Sequence, residues 1–244
     1  MIDTTNTSGH AMWRLIAEEL RAEILERRLR EGDRLPSEKA LAQRFGVNRH
    51  TARQAIASLA DEGFVEARRG SGTFVTGETV HIHRLRVRTR MSANADPRLA
   101  AASLQVLENS FEKAPPEVRE QLRLDHDDVV RVETLRVAGD KPISMGTLWF
   151  DARRLPGIAD EIRHTGSVTA ALRNLGVDDY VRTSTVMGAR LATNAEAVQM
   201  KLPLGSVVLL VRALDSYIDG TPLEWGIGRF AAQRVMLDIE HPMA

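Results

Sequence analysis

The stretch PSEKALAQRFGVNRHTARQAIASLADEGFVEARRGSGTFV, residues 36–75, decides the fold of the first part of this chain. Ser37 and Asn48 each precede a short amphipathic run, and both residue types are preferred at helix N-caps. Gly46 fits the left-handed position that ends a helix, and Gly63 stops the second run. Two caps, two stops and a turn of about four residues predict a helix-turn-helix.

The segment after Gly63 changes to the alternating pattern of β-strands. Phe64–Ala67 and Thr73–Val75 flank a basic, glycine-containing corner, Arg68–Gly72, which predicts a hairpin. A hairpin directly after two such helices is typical of a winged helix-turn-helix, a DNA-reading structure. The sequence therefore predicts a DNA-binding domain over residues 10–76.

Length and composition favour two domains in a protein that is not exported. The chain has 244 residues and no cysteine, so disulfides and thiolate metal sites are excluded. We find no basic segment followed by an apolar run at the N-terminus and no stretch of about 18 apolar residues. We therefore expect a cytoplasmic protein, associated with the nucleoid when it is bound to DNA, and no contact with a membrane.

Charge is balanced over the whole chain but divided between its parts. Basic residues exceed acidic ones over residues 10–76 and 77–95, and acidic residues exceed basic ones from residue 96 onward. No acidic residue occurs between Lys39 and Ala60. A locally basic strip of this kind suits a surface that faces phosphates.

The remainder of the chain predicts a different domain. Residues 77–95 read as a linker that becomes a strand, and residues 96–244 as an effector-binding domain. Turn residues in Ala138–Pro142 and at Asp219-Gly220 predict two hairpins, and Thr193–Glu196 forms a capping box. The alanine-rich run over residues 97–107 predicts a helix. Strands paired by hairpins with interspersed helices indicate an α+β fold with a mostly antiparallel sheet.

At this point the sequence resembles the GntR superfamily of bacterial transcription regulators. The residues that carry the resemblance are Gly32–Glu38, Leu41-Ala42, Phe45–Val47, Arg49–Ala55, Leu59, Gly63 and Gly70–Val75. The C-terminal part resembles the HutC branch, whose effector domain, called UTRA, shares a fold with chorismate lyase. The segments that carry this second resemblance are Leu135–Ile143, Arg190–Thr193, Leu202–Ser206 and Asp219–Glu224. Two further segments, Arg88–Asn94 and Ile239–His241, are similar to regulators of phosphonate metabolism.

The resemblance implies DNA contacts at the helix pair and at the hairpin tip. Arg49 and Arg53 lie one turn apart on the face opposite Ile56 and Leu59, so both are expected to enter a major groove and to donate to guanine. His50 is expected either to read a base or to face water. The full set of expected DNA-binding residues is Lys39, Arg49, His50, Thr51, Arg53, Arg69, Gly70 and Ser71.

The HutC resemblance implies an effector pocket that takes an anionic group. Arg136 would bind the anion, beside the start of a helix at Ser167 and Thr169. The alternative for Ser167 is a plain N-cap, and for Glu224 a solvent-facing residue or an internal salt bridge. The expected effector-binding residues are Ser92, Arg136, Ser167, Thr169, Glu224 and Phe230.

Two positions depart from the HutC pattern. Thr134 and Gly146 stand where many relatives that sense amino-sugar phosphates have Arg and Glu, which favours a smaller or differently charged ligand. An amino-sugar phosphate and a metabolite of the histidine pathway remain alternatives. Other arginines on predicted strands could join the pocket, although a place at the surface is the preferred interpretation: Arg131, Arg182, Arg190 and Arg212.

Other classes of protein fit the sequence less well. Motifs for acyl transfer, phosphate cradling and zinc hydrolysis are absent, which argues against a lyase-like enzyme. His81 and His83 would point the same way from a strand and could hold a metal with a third ligand, although chance exposure is the simpler interpretation. An architectural DNA-binding protein would not need residues 96–244. We therefore expect a repressor without cofactor or bound metal. Its expected partners are a palindromic double-stranded DNA operator, a small anionic effector and a second copy of itself, as a homodimer.

Overall fold

The computed structural model describes residues 5–76, 81–85 and 102–239, and for residues 5–11, 81–85 and 239 it describes the backbone alone. The chain divides into two compact units between residues 80 and 81. We call them the N-terminal unit and the C-terminal unit.

The N-terminal unit has the predicted winged helix-turn-helix architecture. Its elements are α1 (Thr5–Leu25), α2 (Glu38–Phe45), α3 (Arg49–Asp61), β1 (Val65–Arg68) and β2 (Gly72–Val75). The three helices and the hairpin close on one apolar core, whose fully buried members include Ile16, Leu20, Leu41, Leu59 and Phe64. The Cα register of the hairpin runs from Val65 opposite Val75 to Arg68 opposite Gly72.

The predicted caps hold the two short helices in place. The Ser37 hydroxyl accepts from the Ala40 amide at 3.2 Å, and the Asn48 side chain accepts from the Thr51 amide at 2.9 Å. Gly46 adopts φ = +65°, a conformation that a side chain would strain. These contacts set the angle at which α3 leaves the turn, which is why α3 presents a defined face.

The C-terminal unit is a six-stranded antiparallel sheet with helices on both faces. Its order is β4-β5-β6-β9-β8-β7, with every neighbouring pair antiparallel, as predicted for this α+β domain. The strands are β4 (Ser103–Lys113), β5 (Asp128–Ala138), β6 (Lys141–Asp151), β7 (Val181–Leu191), β8 (Val207–Ser216) and β9 (Pro222–Ala231). The helices are α4 (Pro116–Gln121), α5 (Ile158–Thr165), α6 (Val168–Asn174) and α7 (Asn194–Gln199).

Part of the expected linker is a strand of the C-terminal unit. β3 (His81–Leu85) pairs in parallel with β10 (Val235–Ile239). The other linker residues, 77–80 and 86–95, lie outside the described part of the chain. His81 and His83 both lie on β3, where the structure gives the backbone only.

The prediction of a helix over residues 97–107 is wrong for the residues that the structure describes. Residues 103–107 belong to β4, and Leu104 and Val106 pack on the core that α5 and α6 cover. Helix propensity is a weak local preference, and the ten-residue pairing of β4 with β5 outweighs it. The helix α5, which the sequence analysis did not predict, closes the same core with Ile158 and Ile162.

The capping box predicted at Thr193–Glu196 is confirmed and is part of a larger ionic cluster. Thr193 and Glu196 each accept from the other's backbone amide, as in the predicted motif. The Glu196 carboxylate also receives two bonds of 2.6 Å from Arg190 and lies 3.2 Å from Arg229. Hydrogen bonds from Arg190 and Thr193 lower the pKa of Glu196 to about 2.

We expect this cluster to make the free energy of unfolding depend on pH in the acid range. A carboxyl whose pKa is depressed in the folded state contributes stability above its unfolded pKa, about 4.3, and loses that contribution as pH falls toward 2. Urea unfolding, measured at several pH values across this window, is expected to show that stability falls more steeply with decreasing pH for the wild type than for Glu196→Gln. Glu108→Gln, which changes an exposed carboxylate, is the control; equal slopes for wild type and Glu196→Gln would contradict the assignment.

Candidate nucleic-acid interface and ligand cavity

The first half of α3 presents a basic face to solvent. Arg49, His50 and Arg53 are exposed there, whereas Ala52 and Ala55 face the core. Arg49 and Arg53 are one helical turn apart, as the sequence predicts, so their guanidinium groups lie on the same side. This face can donate to base edges without disturbing the packing of the helix.

An ion pair that the sequence analysis missed joins α2 to this face. Arg53 donates from Nε and Nη2 to the two oxygens of Glu38, both at 2.8 Å. The hydrogen bond from Arg53 lowers the pKa of Glu38, and the charge of Arg49 lowers it further. Helical spacing within one element could not reveal a pair that forms between two helices. Glu38 therefore orients Arg53 in addition to its predicted place in the first turn of α2.

The hairpin tip has the geometry that its glycines predict. Arg69, Gly70 and Ser71 form an exposed turn between β1 and β2, and Gly70 has φ = +75°. At Gly72 an added Cβ would lie 2.6 Å from Nε of Arg34, so only glycine lets that side chain cross the hairpin. The backbone of the tip is thus open to an approaching phosphate.

Lys39 and Thr51 were both expected to contact DNA, and only Lys39 is exposed. Lys39 is exposed on α2, as expected. Thr51 is buried, and its hydroxyl bonds the Asn48 side chain at 3.1 Å. Thr51 therefore stabilises the start of α3 in this structure, and its side chain does not face a phosphate as we expected.

A cavity lies on the face of the C-terminal sheet that α5 and α6 partly cover. It encloses about 830 Å³ of empty space, part of it open to solvent. Of the predicted effector residues within the described chain, all line it: Arg136, Ser167, Thr169, Glu224 and Phe230. Ser92 lies outside the described residues.

Three glycines make the floor of the cavity. Gly146 on β6 is directly opposite Gly228 on β9, and Gly226 lies two positions along the same face. An added Cβ would lie 2.7 Å from the Thr134 hydroxyl at Gly146 and 2.8 Å from the Phe230 ring at Gly228. The absence of side chains at Gly146 and Gly228 therefore leaves room for the Thr134 hydroxyl and the Phe230 ring to lie over the sheet.

Arg136 is a buried cation at one end of the cavity. Only 8% of the residue is exposed, and its one hydrogen bond within the described residues is a long one, 3.5 Å to the Ala102 carbonyl. Desolvation lowers its pKa to about 10, which still leaves it charged at neutral pH. A buried guanidinium with its donors largely free is costly alone and is well suited to an incoming anion.

At the other end of the cavity, two carboxyl groups lie near one guanidinium. Arg182 and Asp215 form a bidentate pair at 2.8 and 2.9 Å. Glu224 lies opposite Asp215 on the neighbouring strand, is 7% exposed and makes no hydrogen bond with a described residue. Desolvation, and then repulsion from Asp215, raise the pKa of Glu224 to about 8. This end therefore has one carboxyl more than it has cations.

The cavity wall between the two ends is polar and already bonded. Ser167 caps α6 by accepting from the Ala170 amide at 3.3 Å, which is the simpler of the two roles considered for it. The Thr169 and Tyr180 hydroxyls are 2.9 Å apart. Burial raises the pKa of Tyr180 to about 12, so this phenol stays protonated.

Comparison with known proteins assigns both units. Residues 14–75 match the model of "Bacterial regulatory proteins, gntR family", and residues 99–236 match the UTRA domain. An uncharacterized HTH-type transcriptional regulator of Rhizobium meliloti is 34% identical over 95% of this chain and 96% of its own length. The chain belongs to the GntR family and carries a UTRA domain. It is a transcriptional regulator of the GntR/HutC type and not an enzyme.

Other relatives of this GntR regulator support the same assignment. The probable transcriptional regulator PhnF of Escherichia coli is 30% identical over 98% of this chain and 99% of its own. The crystal structure of PhnF from Mycobacterium smegmatis matches with a TM-score of 0.61 at 24% identity, covering 92% of this chain and 99% of that one, which shows a common fold. No helix in the described part of the chain is long and apolar enough to cross a membrane.

The UTRA cavity contains residues that sequence reasoning missed. Tyr180, Arg182 and Asp215 line it, although Arg182 was expected at the surface. The alternative, a place in the pocket, is the one that the structure has, because Asp215 on the neighbouring strand pairs with the partly buried Arg182 side chain. The other three strand arginines, Arg131, Arg190 and Arg212, do not line the cavity, as expected.

Proposed function

We propose that this GntR regulator is a repressor that binds a palindromic operator as a homodimer and is released by a small anionic effector. The effector is a phosphonate or a phosphate-ester metabolite that binds in the UTRA cavity. The observation that carries the proposal is Arg136, a buried guanidinium whose hydrogen-bonding capacity is largely unused within the described residues.

The choice of a phosphonate or phosphate rests on the geometry of guanidinium recognition. Arginine offers parallel N–H donors that match two oxygens of such a group. The Thr134 hydroxyl, which donates to the Gly146 carbonyl at 3.2 Å, occupies the space where many amino-sugar-phosphate sensors are expected to have a longer side chain. The similarity of Arg88–Asn94 to phosphonate-metabolism regulators, together with the PhnF relatives, favours a phosphonate.

A dimer is expected because near-palindromic operators require two reading units. The outer strand β7 supports a second copy as the partner, since it exposes Val186, Met187 and Leu191 and has no charge between Arg182 and Arg190. The opposite edge, β4, has charged side chains along it, a feature that discourages edge pairing. Two β7 strands related by a two-fold axis would pair antiparallel and join the sheets.

Met187→Lys is expected to weaken the dimer. A lysine on an edge strand opposes pairing, and two of them would meet across the two-fold axis. Light scattering of the full chain should show a dimer for the wild type and dissociation toward monomer for the variant at micromolar concentration. Lys113→Met, which removes a charge from the opposite edge, is the matched control. If the variant dimerises as strongly as the wild type, the dimer interface does not lie at β7.

A ligand-dependent change in operator affinity tests the proposed function. The DNA is a duplex that the wild-type chain selects from a random library, and the probes are propylphosphonate and inorganic phosphate. We expect at least one probe to weaken operator binding by about 5- to 150-fold, the usual range of allosteric coupling. Operator affinity that neither probe changes, with no heat of binding for either, would contradict the anionic effector.

A further inference from the structure

The two ends of the UTRA cavity each carry a buried ionisable group that forms no ion pair with a described residue. At one end this is the Arg136 guanidinium, and at the other the Glu224 carboxyl. The rest of the charge in the cavity is balanced, because Arg182 and Asp215 pair with each other. The cavity therefore has an unpaired guanidinium at one end and, at the other, an unpaired carboxyl that is protonated at neutral pH.

The sheet register keeps these two groups apart. Arg136 is opposite Ser144, which is opposite Phe230, whereas Glu224 lies six positions earlier on the strand that carries Phe230. At about 3.3 Å per residue, the two rows of Cα atoms are roughly 20 Å apart along the strands. No ion pair joins Arg136 to Glu224 in the described structure, and the glycine floor occupies the space between them.

Glu224 is directed along this floor. Its Oε1 atom lies 3.2 Å from the position of a Cβ added at Gly226, the next residue on the same face. The carboxyl therefore reaches over the glycines toward the Arg136 end. A carboxyl that is more than nine-tenths buried, faces a cavity and has no hydrogen-bond partner among the described residues indicates a group that the ligand supplies.

We propose that the effector is a zwitterion of extended shape, with its phosphonate or phosphate on Arg136 and a primary amine, or another cationic nitrogen, on Glu224 beside Asp215. This inference rests on the proposed function, since it takes the anionic end from there and adds the cationic end. A ligand of this kind gives both buried groups a partner at once, whereas a simple anion leaves the excess carboxyl without one.

The protonation of Glu224 gives the proposal a signature of its own. The pKa of about 8 means that the carboxyl holds its proton at neutral pH while the cavity holds no ligand. An ammonium group beside it favours the carboxylate and displaces that proton. Binding of an amine is therefore accompanied by release of close to one proton, and binding of an uncharged group at the same place is not.

Isothermal titration of the full chain with matched phosphonates tests this inference. The probes are 2-aminoethyl-, 3-aminopropyl- and 4-aminobutylphosphonate, each beside the alkylphosphonate of equal chain length, and 3-hydroxypropylphosphonate. We expect the best amine to bind about 10- to 100-fold more tightly than its alkyl twin, as a charge-assisted hydrogen bond should. Repeating the titration in buffers of different ionisation enthalpy should show close to one more proton released for the amine than for its alkyl twin.

Glu224→Gln separates a role in binding from a role in folding. The amide keeps the size of the side chain and removes its charge, so we expect a folded protein that binds amine and alkyl probes equally. Glu108→Gln, an exposed carboxylate outside the cavity lining, should keep the wild-type preference. The proton release of the wild type tests the proposal without any variant.

The outcomes distinguish this inference from the proposed function. Equal affinity for amine and alkyl twins, or equal affinity for the amine and the hydroxyl probe, overturns the cationic end and leaves the anionic effector in place. Binding of no phosphonate by the wild type overturns both. A preference for the amine that survives in Glu224→Gln overturns the assignment of this carboxyl.

Discussion

Arg53→Ala is expected to abolish binding to the operator while the fold is retained. A lost bidentate contact to guanine costs about 1–3 kcal/mol, so two half-sites lose about 2–6 kcal/mol, which is about 30-fold or more in affinity. The loss of charge also leaves Glu38 without its partner at the DNA-facing surface, where a carboxylate repels phosphates. A gel-shift titration at fixed salt measures the effect.

The appropriate control changes the same residue type away from α3. Arg28 is exposed after the end of α1 and pairs with Glu26 at 2.8 Å, so Arg28→Ala removes one positive charge without touching the reading face. It should lose only the small, salt-dependent share of affinity. A second variant, Glu38→Gln, should keep most of the binding. Equal losses for Arg53→Ala and Arg28→Ala would mean that α3 does not read bases.

Arg136→Met is expected to eliminate the response to effector and to leave operator binding intact. Removing one member of a buried, hydrogen-bonded charge pair costs about 2–5 kcal/mol, which corresponds to about 30-fold or more in ligand affinity. Methionine retains much of the apolar stem of the arginine. Because burial of this guanidinium is unfavourable in the unliganded protein, thermal stability should be unchanged or higher.

Arg212 provides a matched control for this variant. It lies on β8 with its side chain exposed and does not line the cavity, so Arg212→Met should bind effector as the wild type does. Titration calorimetry with the amine-bearing and alkyl phosphonates gives the affinities, and melting curves give the stability. If Arg136→Met binds the phosphonates with undiminished affinity, Arg136 is not the residue that binds the anion.

The local features of the N-terminal unit could be predicted because they depend on neighbouring residues. Ser37, Gly46 and Asn48 act within a few positions of themselves, and each has the role that its side chain indicates. The pair of Glu38 with Arg53 was missed for the opposite reason, because its members come from two helices and the spacing of residues along one helix does not contain it. Thr51 was assigned to DNA although its partner, Asn48, is only three positions away, because the cap prediction did not include the Thr51 hydroxyl.

In the C-terminal unit, too, the features that depend on neighbouring residues could be predicted, and those that depend on distant residues could not. Turn and capping signals located its central hairpins and α7, whereas the alanine-rich segment that leads into β4 was assigned to a helix. The partners of β4 and of Arg182 are brought together by sheet register, and no local pattern reports a strand that is distant in sequence. The family resemblance supplied the pocket residues for this reason, and it did not include Tyr180 or Asp215.

The central claim is that α3 reads the operator and that the UTRA cavity controls it through a separate set of residues. The most direct test is operator affinity for the wild type, Arg53→Ala and Arg136→Met, each with and without saturating 3-aminopropylphosphonate. We predict that the wild type binds DNA and weakens with the probe, that Arg53→Ala fails to bind DNA yet still binds the probe, and that Arg136→Met binds DNA whether or not the probe is present. A probe that weakens DNA binding by Arg136→Met as strongly as by the wild type would contradict the account.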